Sequence, residues 1–399
     1  MERVVFLVDM NAFFISCEMS RNPEIAGKPA AVAGNPKTRT GIILAANYEA
    51  RRFGVKTTMV IHQALKLCPD MLLVPPDHYF YEQKSQEVMK LLERYSPVIE
   101  QNSIDEAWLD MTGTEKLFGR PLEAAQQIMD SINDELGLWC SIGISENKLL
   151  AKIASEIKKP MGITELWLKD VKSKLWPLKV TDLYGIGKQT GLKLNNIGIG
   201  TIGDLANYNS QALVRLFGKQ GLELQRMANG TDTSSVTPHI SGEMKSIGRS
   251  TTLSEDITDI EEVRNTFLEM CEEVGYDARR NNKKGRTIQI TIKYSDFKTI
   301  TRQTRIEPTY LTKDIYETGF ALLKKNWNSL MPVRLIGVSI SGFETENLSG
   351  QLSLFDSMDF CNSLSQKEEK LEKAIDSIRN KMGKDSINRA IQIKGSKNK

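Results

Sequence analysis

The chain has 399 residues, of which 40% are hydrophobic and 26% are charged, and its formal net charge is +3. This length exceeds one ordinary hydrophobic core, so we expect three or four domains. The nearly balanced charge excludes a protein that binds a polyanion through bulk charge alone, and such binding would need local basic clusters. No apolar run approaches the roughly 20 residues that a membrane span needs, and no signal-peptide pattern opens the chain.

Cysteine usage indicates a reducing compartment. The five cysteines are scattered and form no Cys-x-x-Cys pair: Cys17, Cys68, Cys140, Cys271 and Cys361. An odd, dispersed set argues against a disulfide framework and against a zinc site. We therefore expect a soluble cytoplasmic protein that does not associate with a membrane.

Two acidic positions interrupt segments that are otherwise typical of buried strands. Residues 4–8 form an uninterrupted apolar run, which predicts a central strand, and the run ends in Asp9. Asp105 and Glu106 lie among apolar and β-forming residues, where an unpaired carboxylate is costly. If the two strands are neighbours, the three carboxylates converge, and without a nearby histidine or cysteine they favour Mg²⁺ or Mn²⁺ over zinc. A turn or cap at Asp9 and a solvated Asp-Glu pair are the alternatives.

A phenylalanine pair follows within the helix predicted at residues 10–18. Phe13 is expected in the core. Phe14 lies just over one helical turn beyond Asp9, so its ring could press on whatever a metal at Asp9 holds.

A strand-like run at residues 41–46 leads into a short helix, in which Tyr48 shares a face with Arg51 or Arg52. Guanidinium groups bind phosphate oxygens in a bidentate way, so this face could clamp a polyphosphate. A solvated helix face is the alternative that these residues leave open.

Helices are predicted at residues 78–95, 122–136 and 148–157, with a strand at residues 140–144. This alternation predicts an α+β domain in which a mixed sheet packs on helices. Lys159 closes the domain immediately before a proline. Lysines near a helix end are usually solvated, but this one is a candidate for contact with a triphosphate.

Residues 183–205 have a different composition, in which Gly185-x-Gly187 leads into a predicted helix at residues 189–195. A second glycine-rich turn and another helix follow, which is typical of a helix-hairpin-helix motif. Glycines let the backbone approach a phosphate, and N–H groups at the helix start can bind it. We expect contact with nucleic acid, without sequence readout, from Gly185, Gly187 and Lys188. A dinucleotide-binding fingerprint would need a preceding strand that this stretch lacks.

A fourth region starts near residue 244, with a predicted helix at 260–281 and alternating strands at 287–294 and 335–341. Such strands with helices between them predict an open sheet with one wet face. Residues 279–286 carry only positive charges. Such a cluster is commonly a solubilising loop, but beside a helix-hairpin-helix it is expected to contact the nucleic-acid backbone through Arg279, Arg280, Lys283, Lys284 and Arg286.

Five stretches carry a family resemblance: residues 8–14, 46–55, 103–107, 143–148 with 159–162, and 245–250. Through them the chain closely resembles the Y-family translesion DNA polymerases, in particular their DNA polymerase IV branch, over residues 1–355. The resemblance implies an error-prone, template-directed polymerase that adds dNTPs to a primer 3′ end on primer–template DNA. It would bypass lesions and lack proofreading.

The resemblance also implies the α+β multidomain fold of a right-hand polymerase. The palm would comprise residues 1–22 and 76–165, the fingers 23–75, the helix-hairpin-helix thumb 166–230 and the α/β little finger 243–345. A flexible tail would follow at residues 346–399, within which the sequence predicts a helix at residues 366–382.

The family's functional residues can be carried over position by position. Asp9, Asp105, Glu106 and the Met10 carbonyl oxygen would hold two Mg²⁺ ions, for which Mn²⁺ can substitute. The incoming triphosphate would be held by Tyr48, Arg51 and Lys159.

Further roles follow from the same resemblance. Phe14 would be the steric gate, whose ring collides with a ribose 2′-hydroxyl, and Arg249 would contact DNA. The nascent base pair would face Ile42 and Leu44, which are bulkier than the residues that many members use. Asn11 stands where the family usually has a second Asp, and Ala12 stands where some members have an aromatic residue.

The polar tail contains five residues that resemble the peptide by which bacterial polymerases dock on the sliding clamp: Gln351, Leu352, Ser353, Leu354 and Phe355. Apolar side chains exposed in a polar tail incur a solvation cost, so a groove on a partner is their natural destination. Packing of Phe355 back on the little finger is the alternative. Apart from the clamp, the protein is expected to act as a monomer.

Two other functional classes use some of the same features. A two-metal nuclease would need similar carboxylates, but neither Phe14 nor the triphosphate clamp. A catalytically silent DNA-binding accessory protein would keep the thumb and lose the metal ligands, whereas all three carboxylates are present here.

Overall fold

The computed structural model describes residues 3–35, 41–238, 244–343, 358–383 and 386–387. The chain divides into two compact units, one within residues 1–240 and the other within residues 241–399. None of the helices in the described ranges is long and apolar enough to cross a membrane.

The first unit contains two β-sheets and the helices that pack on them, followed by a group of helices. Its first elements are β1 (Val5–Met10), α1 (Phe13–Arg21), β2 (Ala30–Ala33), β3 (Ile43–Ala46), α2 (Tyr48–Arg52), α3 (Ile61–Leu67) and β4 (Leu72–Val74). The central elements are α4 (His78–Leu92), β5 (Ile99–Gln101), β6 (Glu106–Asp110), α5 (Glu115–Phe118), α6 (Pro121–Leu136), β7 (Cys140–Ser145), α7 (Lys148–Ile157) and β8 (Ile163–Glu165). The remaining helices are α8 (Lys188–Asn196), α9 (Ile202–Asn207), α10 (Ser210–Phe217) and α11 (Lys219–Ala228).

The principal sheet has the strand order β5-β6-β1-β7-β8. All six residues of β1 are buried, as expected for an apolar run at the centre of a sheet. β1 is antiparallel to both β6 and β7. Helix α7 packs tightly on β7, since a Cβ at Gly143 would lie 1.9 Å from the Ala151 carbonyl oxygen. This close approach brings the side chains of α7 to the end of β1.

A smaller three-stranded sheet, with the order β3-β2-β4, has an apolar cluster of its own. The helices of residues 168–228 form another cluster, which also includes Leu149, Leu150 and Ile153 of α7. Because α7 belongs to both the principal sheet domain and this helical core, the two form one compact unit. The palm, fingers and thumb boundaries remain predictions within that unit.

The helix-hairpin-helix lies where the sequence predicts it. Helices α8 and α9 are joined by residues 197–201, and Gly198 has a φ of +84°, a left-handed conformation that glycine adopts without strain. Thr201 caps α9, since its hydroxyl accepts a hydrogen bond from the Asp204 N–H at 3.0 Å.

The second unit is a four-stranded antiparallel sheet with helices. It comprises β9 (Ser246–Ile257), α12 (Arg264–Arg280), β10 (Gly285–Tyr294), β11 (Thr299–Thr309), α13 (Thr312–Asn326), β12 (Val333–Phe343) and α14 (Met358–Met382). The strand order is β11-β10-β12-β9. The alternating strands β10 and β12 match the sequence prediction. β9 and β11 were not predicted, because most of their residues are polar and their few apolar residues do not alternate regularly with polar ones.

The tail corrects one expectation. Residues 346–399 were expected to form a flexible tail with a helix at residues 366–382; the helix is present and begins earlier, since Met358–Met382 forms the long helix α14, whose acidic side chains bind Arg279 and Lys284 of the same unit. The candidate clamp peptide at residues 351–355 lies outside the described residues.

Candidate active site

The pairing of β1 and β6 places the candidate carboxylates side by side. Asp9 lies opposite Glu106 in the ladder, and the Met10 N–H donates to the Asp105 carbonyl oxygen at 2.9 Å. On its other side Asp9 is paired with Ser141 of β7. The neighbouring strands predicted from the sequence are therefore confirmed, and they bring Asp9 opposite Glu106.

Two lysines neutralise the carboxylates. The Lys152 ammonium lies 2.8 Å from Asp9 Oδ2 and 2.5 Å from Glu106 Oε2. The Lys159 ammonium lies 2.8 Å from Asp9 Oδ1 and 2.8 Å from a Glu156 carboxylate oxygen. Burial alone would raise the pKa of the Asp9 carboxyl, but the two ammonium groups outweigh it and hold that pKa below its usual value.

Asp105 is oriented differently from the other two carboxylates. Its Oδ1 accepts a hydrogen bond from the Ser103 hydroxyl at 2.5 Å, within the turn between β5 and β6. The described residues contain no group of three His, Cys, Asp or Glu side chains arranged to hold a metal ion. The expected convergence of three carboxylates is therefore only partial, because Lys152 occupies the space between Asp9 and Glu106 while Ser103 holds Asp105.

The donor set nevertheless suits a hard cation. One oxygen each of Asp9 and Glu106 already binds a single positive group, the Lys152 ammonium, and Asp105 lines the same pocket. Carboxylate oxygens without nearby sulfur or imidazole ligands are the set that Mg²⁺ prefers. The residues present thus fit a divalent cation that competes with Lys152 for these oxygens.

A pocket of about 470 Å³ collects most of the predicted residues. Among its lining residues are Asp9, Met10, Asn11, Ala12, Phe14, Leu44, Tyr48, Arg51, Asp105, Glu106, Lys152 and Lys159. Ile42 does not line it, and instead forms an isolated bridge with Val60. Lys152 was not singled out from the sequence. Its spacing of seven residues from Lys159, across the end of one helix, is the signal that points to it.

Helix α2 presents Tyr48 and Arg51 to this pocket. Asn47 caps the helix by accepting from the Ala50 N–H at 3.0 Å, and the Arg51 guanidinium lies 5.0 Å from the centre of the Tyr48 ring. The Tyr48 hydroxyl is buried without a hydrogen-bond partner among the described residues. Burial raises the pKa of Tyr48, so the hydroxyl stays protonated and can donate to an anionic oxygen.

Phe14 has an aromatic support that the sequence analysis missed. Its ring stacks on Tyr81 with centroids 4.5 Å apart and planes 14° apart. The Tyr81 hydroxyl donates to a Glu18 oxygen at 2.7 Å, and Arg21 binds the same carboxylate. In the sequence, Tyr81 is one of several residues at the buried positions of α4 and carries no signal of its own. Contact with Phe14 depends on how α1 and α4 pack, which periodicity does not specify.

The backbone at the predicted DNA contacts of the thumb is accessible. Gly185 has a φ of +85°, and a Cβ at Gly187 would meet no atom within 4 Å. Gly187 is the residue before α8, and Lys188 is exposed. A phosphate could therefore approach this backbone without displacing a side chain.

The basic cluster of the second unit requires a correction. The Arg279 side chain is only 4% exposed, and it binds Asp376 of α14 at 2.6 Å and Glu372 at 3.4 Å. It also donates to the Tyr310 carbonyl oxygen at 3.0 Å. The predicted DNA contact of Arg279 is therefore wrong, because α14 covers this side chain and neutralises its charge.

The other basic residues differ in exposure. Lys284 binds Glu369 of α14 at 2.6 Å, yet its side chain is 37% exposed. Arg249 binds Glu273 at 3.3 Å and is 45% exposed. Arg280 is exposed. DNA contacts by these three residues, and by Lys283 and Arg286, stay predictions.

Comparison with known proteins identifies the family to which the chain is similar. Residues 8–156 match the impB/mucB/samB family, residues 169–199 match its helix-hairpin-helix motif, and residues 244–354 match its C-terminal domain. The DNA polymerase IV of Clostridium kluyveri is 59% identical over all of this chain and all of its own length. DNA polymerase IV 1 of Bacillus subtilis is 39% identical over 100% of this chain and 95% of its own. A solved structure, "Y-family DNA polymerase chimera Dbh-Dpo4(243-245)-Dbh", has a TM-score of 0.74 at 28% identity and covers 85% of this chain and 99% of its own.

These matches, together with the site, show that the chain belongs to the impB/mucB/samB family of Y-family DNA polymerases. Within that family it falls in the DNA polymerase IV branch, and it is a DNA-directed DNA polymerase of translesion synthesis. The nuclease and accessory-protein alternatives are thereby set aside. The chemistry of this family depends on divalent metal ions.

Replacing Arg279 by Met should destabilise the second unit rather than weaken DNA binding. The change removes the guanidinium that binds the buried Glu372 and half-buried Asp376 carboxylates, and breaking a buried ion pair typically costs about 3–5 kcal/mol. Hydrogen exchange followed by mass spectrometry should show faster exchange in α12 and α14. The matched variant Arg280→Met, on an exposed neighbour, should leave exchange unchanged. Equal exchange in both variants would contradict the structural role of Arg279.

Proposed function

We propose that the pocket around Asp9 is the nucleotidyl-transfer centre of this polymerase. The observation that carries this proposal is that Asp9, paired opposite Glu106, shares one pocket with Tyr48, Arg51 and Lys159. Acidic groups at one end and donors to phosphate at the other match the two requirements of phosphoryl transfer from a nucleoside triphosphate.

The acidic end would hold the metal ions. Asp9, Asp105 and Glu106, with the Met10 carbonyl oxygen, are the proposed ligands of two Mg²⁺ ions, for which Mn²⁺ can substitute. When bound, such ions activate the primer 3′-hydroxyl and neutralise charge on the departing pyrophosphate. Lys152 binds Asp9 and Glu106 at 2.8 and 2.5 Å, so its ammonium has to move as the carboxylates take up metal. It would then remain close enough to offset the excess negative charge of the loaded site.

The cationic end would bind the triphosphate. Arg51 offers a planar fork of donors to phosphate oxygens, and the Tyr48 hydroxyl is a neutral donor with no partner among the described residues. Lys159 is held near Asp9 by an ion pair, and exchange of that carboxylate for a phosphate oxygen would keep its charge satisfied. The three groups therefore orient the nucleotide without taking part in bond making.

Phe14 would discriminate against ribonucleotides. The ring is fixed by stacking on Tyr81, which Glu18 holds in turn, so it cannot easily rotate away from an added 2′-hydroxyl. Rigidity matters because a mobile ring would give way to the extra oxygen instead of excluding it. On this side of the nucleotide, Leu44 lines the pocket and would face the nascent base pair with Ile42.

The remaining substrate is primer–template DNA. Gly185, Gly187 and Lys188 of the thumb would bind its backbone, as would Arg249, Arg280, Lys283, Lys284 and Arg286 of the little finger. We further propose that the protein works as a monomer in the cytoplasm and docks on the sliding clamp through residues 351–355.

Replacing Asp105 by Ala should abolish nucleotide addition while leaving DNA affinity within about twofold, because the carboxylate acts on reacting groups and not on the duplex backbone. Single-turnover primer extension and a DNA-binding titration measure the two quantities. Asp110→Ala is a matched control, since Asp110 lies at the far end of β6 opposite Val5 and should leave extension intact. Wild-type extension by Asp105→Ala would refute the proposed catalytic role.

Replacing Phe14 by Ala should admit ribonucleotides, raising rNTP relative to dNTP incorporation by about 100-fold or more, the scale at which steric exclusion of one hydroxyl operates in a rigid site. The ratio of kcat/KM for a matched rNTP and dNTP measures the effect. Tyr81→Phe keeps the stacked ring but removes the hydroxyl bound to Glu18, so it should raise the ratio less than Phe14→Ala does. An unchanged ratio in Phe14→Ala would mean that Phe14 is only a core residue.

Replacing Leu354 and Phe355 by Ala should leave distributive synthesis unchanged but remove its stimulation by the clamp. A short extended peptide buries few apolar side chains, each contributing about 1.5–3 kcal/mol before ordering costs, so clamp affinity should be micromolar-like. Primer extension with and without loaded clamp measures the effect. Full stimulation of the double variant would show that another segment docks.

A further inference from the structure

Asn11 is fixed at the end of β1, two residues beyond Asp9. Its side chain and backbone are 1% exposed. The Asn11 N–H donates to the Trp139 carbonyl oxygen at 2.7 Å, and the Asn11 carbonyl oxygen accepts from the Ser16 hydroxyl at 2.7 Å. With both backbone groups bound, the direction of the side-chain amide is determined by the sheet and by α1.

The Asn11 amide joins β1 and β7 to the loop that follows α7. Asn11 Oδ1 accepts a hydrogen bond from the Met161 N–H at 2.8 Å, and Asn11 Nδ2 lies 3.1 Å from the Ser141 hydroxyl. That hydroxyl in turn accepts from the Gly162 N–H at 3.3 Å. Two consecutive N–H groups of the loop are thus held by the Asn11–Ser141 pair.

The held loop is strained and tightly packed. Met161 has a φ of +55°, a left-handed conformation that persists in a residue with a side chain only where the surroundings enforce it. At Gly162 an added Cβ would lie 2.0 Å from the Lys158 carbonyl oxygen. Lys159 lies within this loop, two residues before Met161, and its ammonium reaches Asp9 and Glu156 at 2.8 Å each.

We propose that Asn11 is a positioning residue for nucleotide binding, which acts by holding the Lys158–Gly162 loop so that Lys159 points into the pocket. The inference rests on the proposed contact of Lys159 with the triphosphate and adds the residue that fixes it. This role requires an oxygen on the side chain at position 11 that accepts the hydrogen bond from the Met161 N–H. Aspartate satisfies it as well as asparagine, because the Ser141 hydroxyl can turn to donate to a carboxylate.

The test compares three single variants with the wild type in steady-state primer extension: Asn11→Leu, Asn11→Asp and Lys159→Ala. Asn11→Leu keeps the volume and removes both polar atoms, and should raise KM for the dNTP by about tenfold, the scale of one lost buried hydrogen bond. DNA affinity should stay within twofold. Asn11→Asp should restore a KM within about twofold of the wild type, a rescue that a merely space-filling role would not give.

The double variant Asn11→Leu/Lys159→Ala distinguishes the two proposals. If Asn11 acts through Lys159, KM in the double variant should equal that of Lys159→Ala within about twofold. A normal KM in Asn11→Leu beside a raised KM in Lys159→Ala would overturn the positioning role alone. A normal KM in Lys159→Ala would overturn the triphosphate contact and this inference together. Effects that multiply in the double variant would also overturn the inference.

Thermal unfolding shows whether Asn11→Leu is folded. If it is not, Ser141→Ala provides the second variant, since it removes the hydroxyl shared by Asn11 and the Gly162 N–H but leaves the Asn11–Met161 bond. We expect this milder change to raise KM about threefold. Because the Ser141 hydroxyl orients the Asn11 amide and holds the Gly162 N–H, a wild-type KM in folded Ser141→Ala would overturn the positioning role of Asn11.

Discussion

The site depends on a balance of charge at the end of one buried strand. β1 is the middle strand of the sheet, so Asp9 is largely buried and needs cations supplied by the protein. Lys152 and Lys159 supply them from α7 and the loop after it. A buried carboxylate without these partners would be destabilised by several kcal/mol. If these oxygens bind a metal, as proposed, they must exchange an ammonium for it.

That balance requires close packing of α7 on β7. At Gly143 there is no room for a Cβ, and this allows α7 to lie close enough for Lys152 to reach both Asp9 and Glu106. The loop after α7 is then held by Asn11 from the same strand that carries Asp9. One strand thus determines both the acidic centre and the direction of the nearest cationic side chain. The fold links the two ends of the reaction site through a few short contacts.

The sequence predicted much of this arrangement because the relevant signals are local. An apolar run ending in Asp9 predicts a buried strand, and the glycines at residues 185 and 187 predict the thumb motif. The proposed metal ligands Asp9, Asp105 and Glu106 and the proposed phosphate contacts Tyr48 and Arg51 were first inferred from the residues, and the family resemblance made those roles specific. The stacking of Phe14 on Tyr81 and the hydrogen bonds of Asn11 to Met161 and Ser141 depend on packing between elements that are distant in sequence. Hydrophobic periodicity carries no information on such pairs. In the sequence, Asn11 differs from the family's usual Asp only by the absence of a negative charge.

The basic cluster at residues 279–286 shows that long-range contacts can also make a sequence prediction wrong. A run of positive charge predicted DNA contact for Arg279, but its acidic partners Glu372 and Asp376 lie almost a hundred residues away on α14. The sequence predicts a helix in this part of the tail, and Leu371, Ile375 and Ile378 recur at helical spacing. That spacing does not tell which basic side chains the acidic residues of the helix will meet. Its ion pairs are recognised only once both partners are placed.

The central claim, that Asp9 and Glu106 form one cation site across the β1–β6 pair, is tested most directly by Mn²⁺ binding. Electron paramagnetic resonance titration of the full chain, with primer–template DNA and a non-hydrolysable dNTP, measures this affinity without turnover. We predict that Asp9→Asn and Glu106→Gln each weaken Mn²⁺ binding at least about tenfold and that their effects do not multiply, because both act on one site. Asp110→Asn should bind as the wild type does. Undiminished Mn²⁺ affinity in Asp9→Asn would contradict the account.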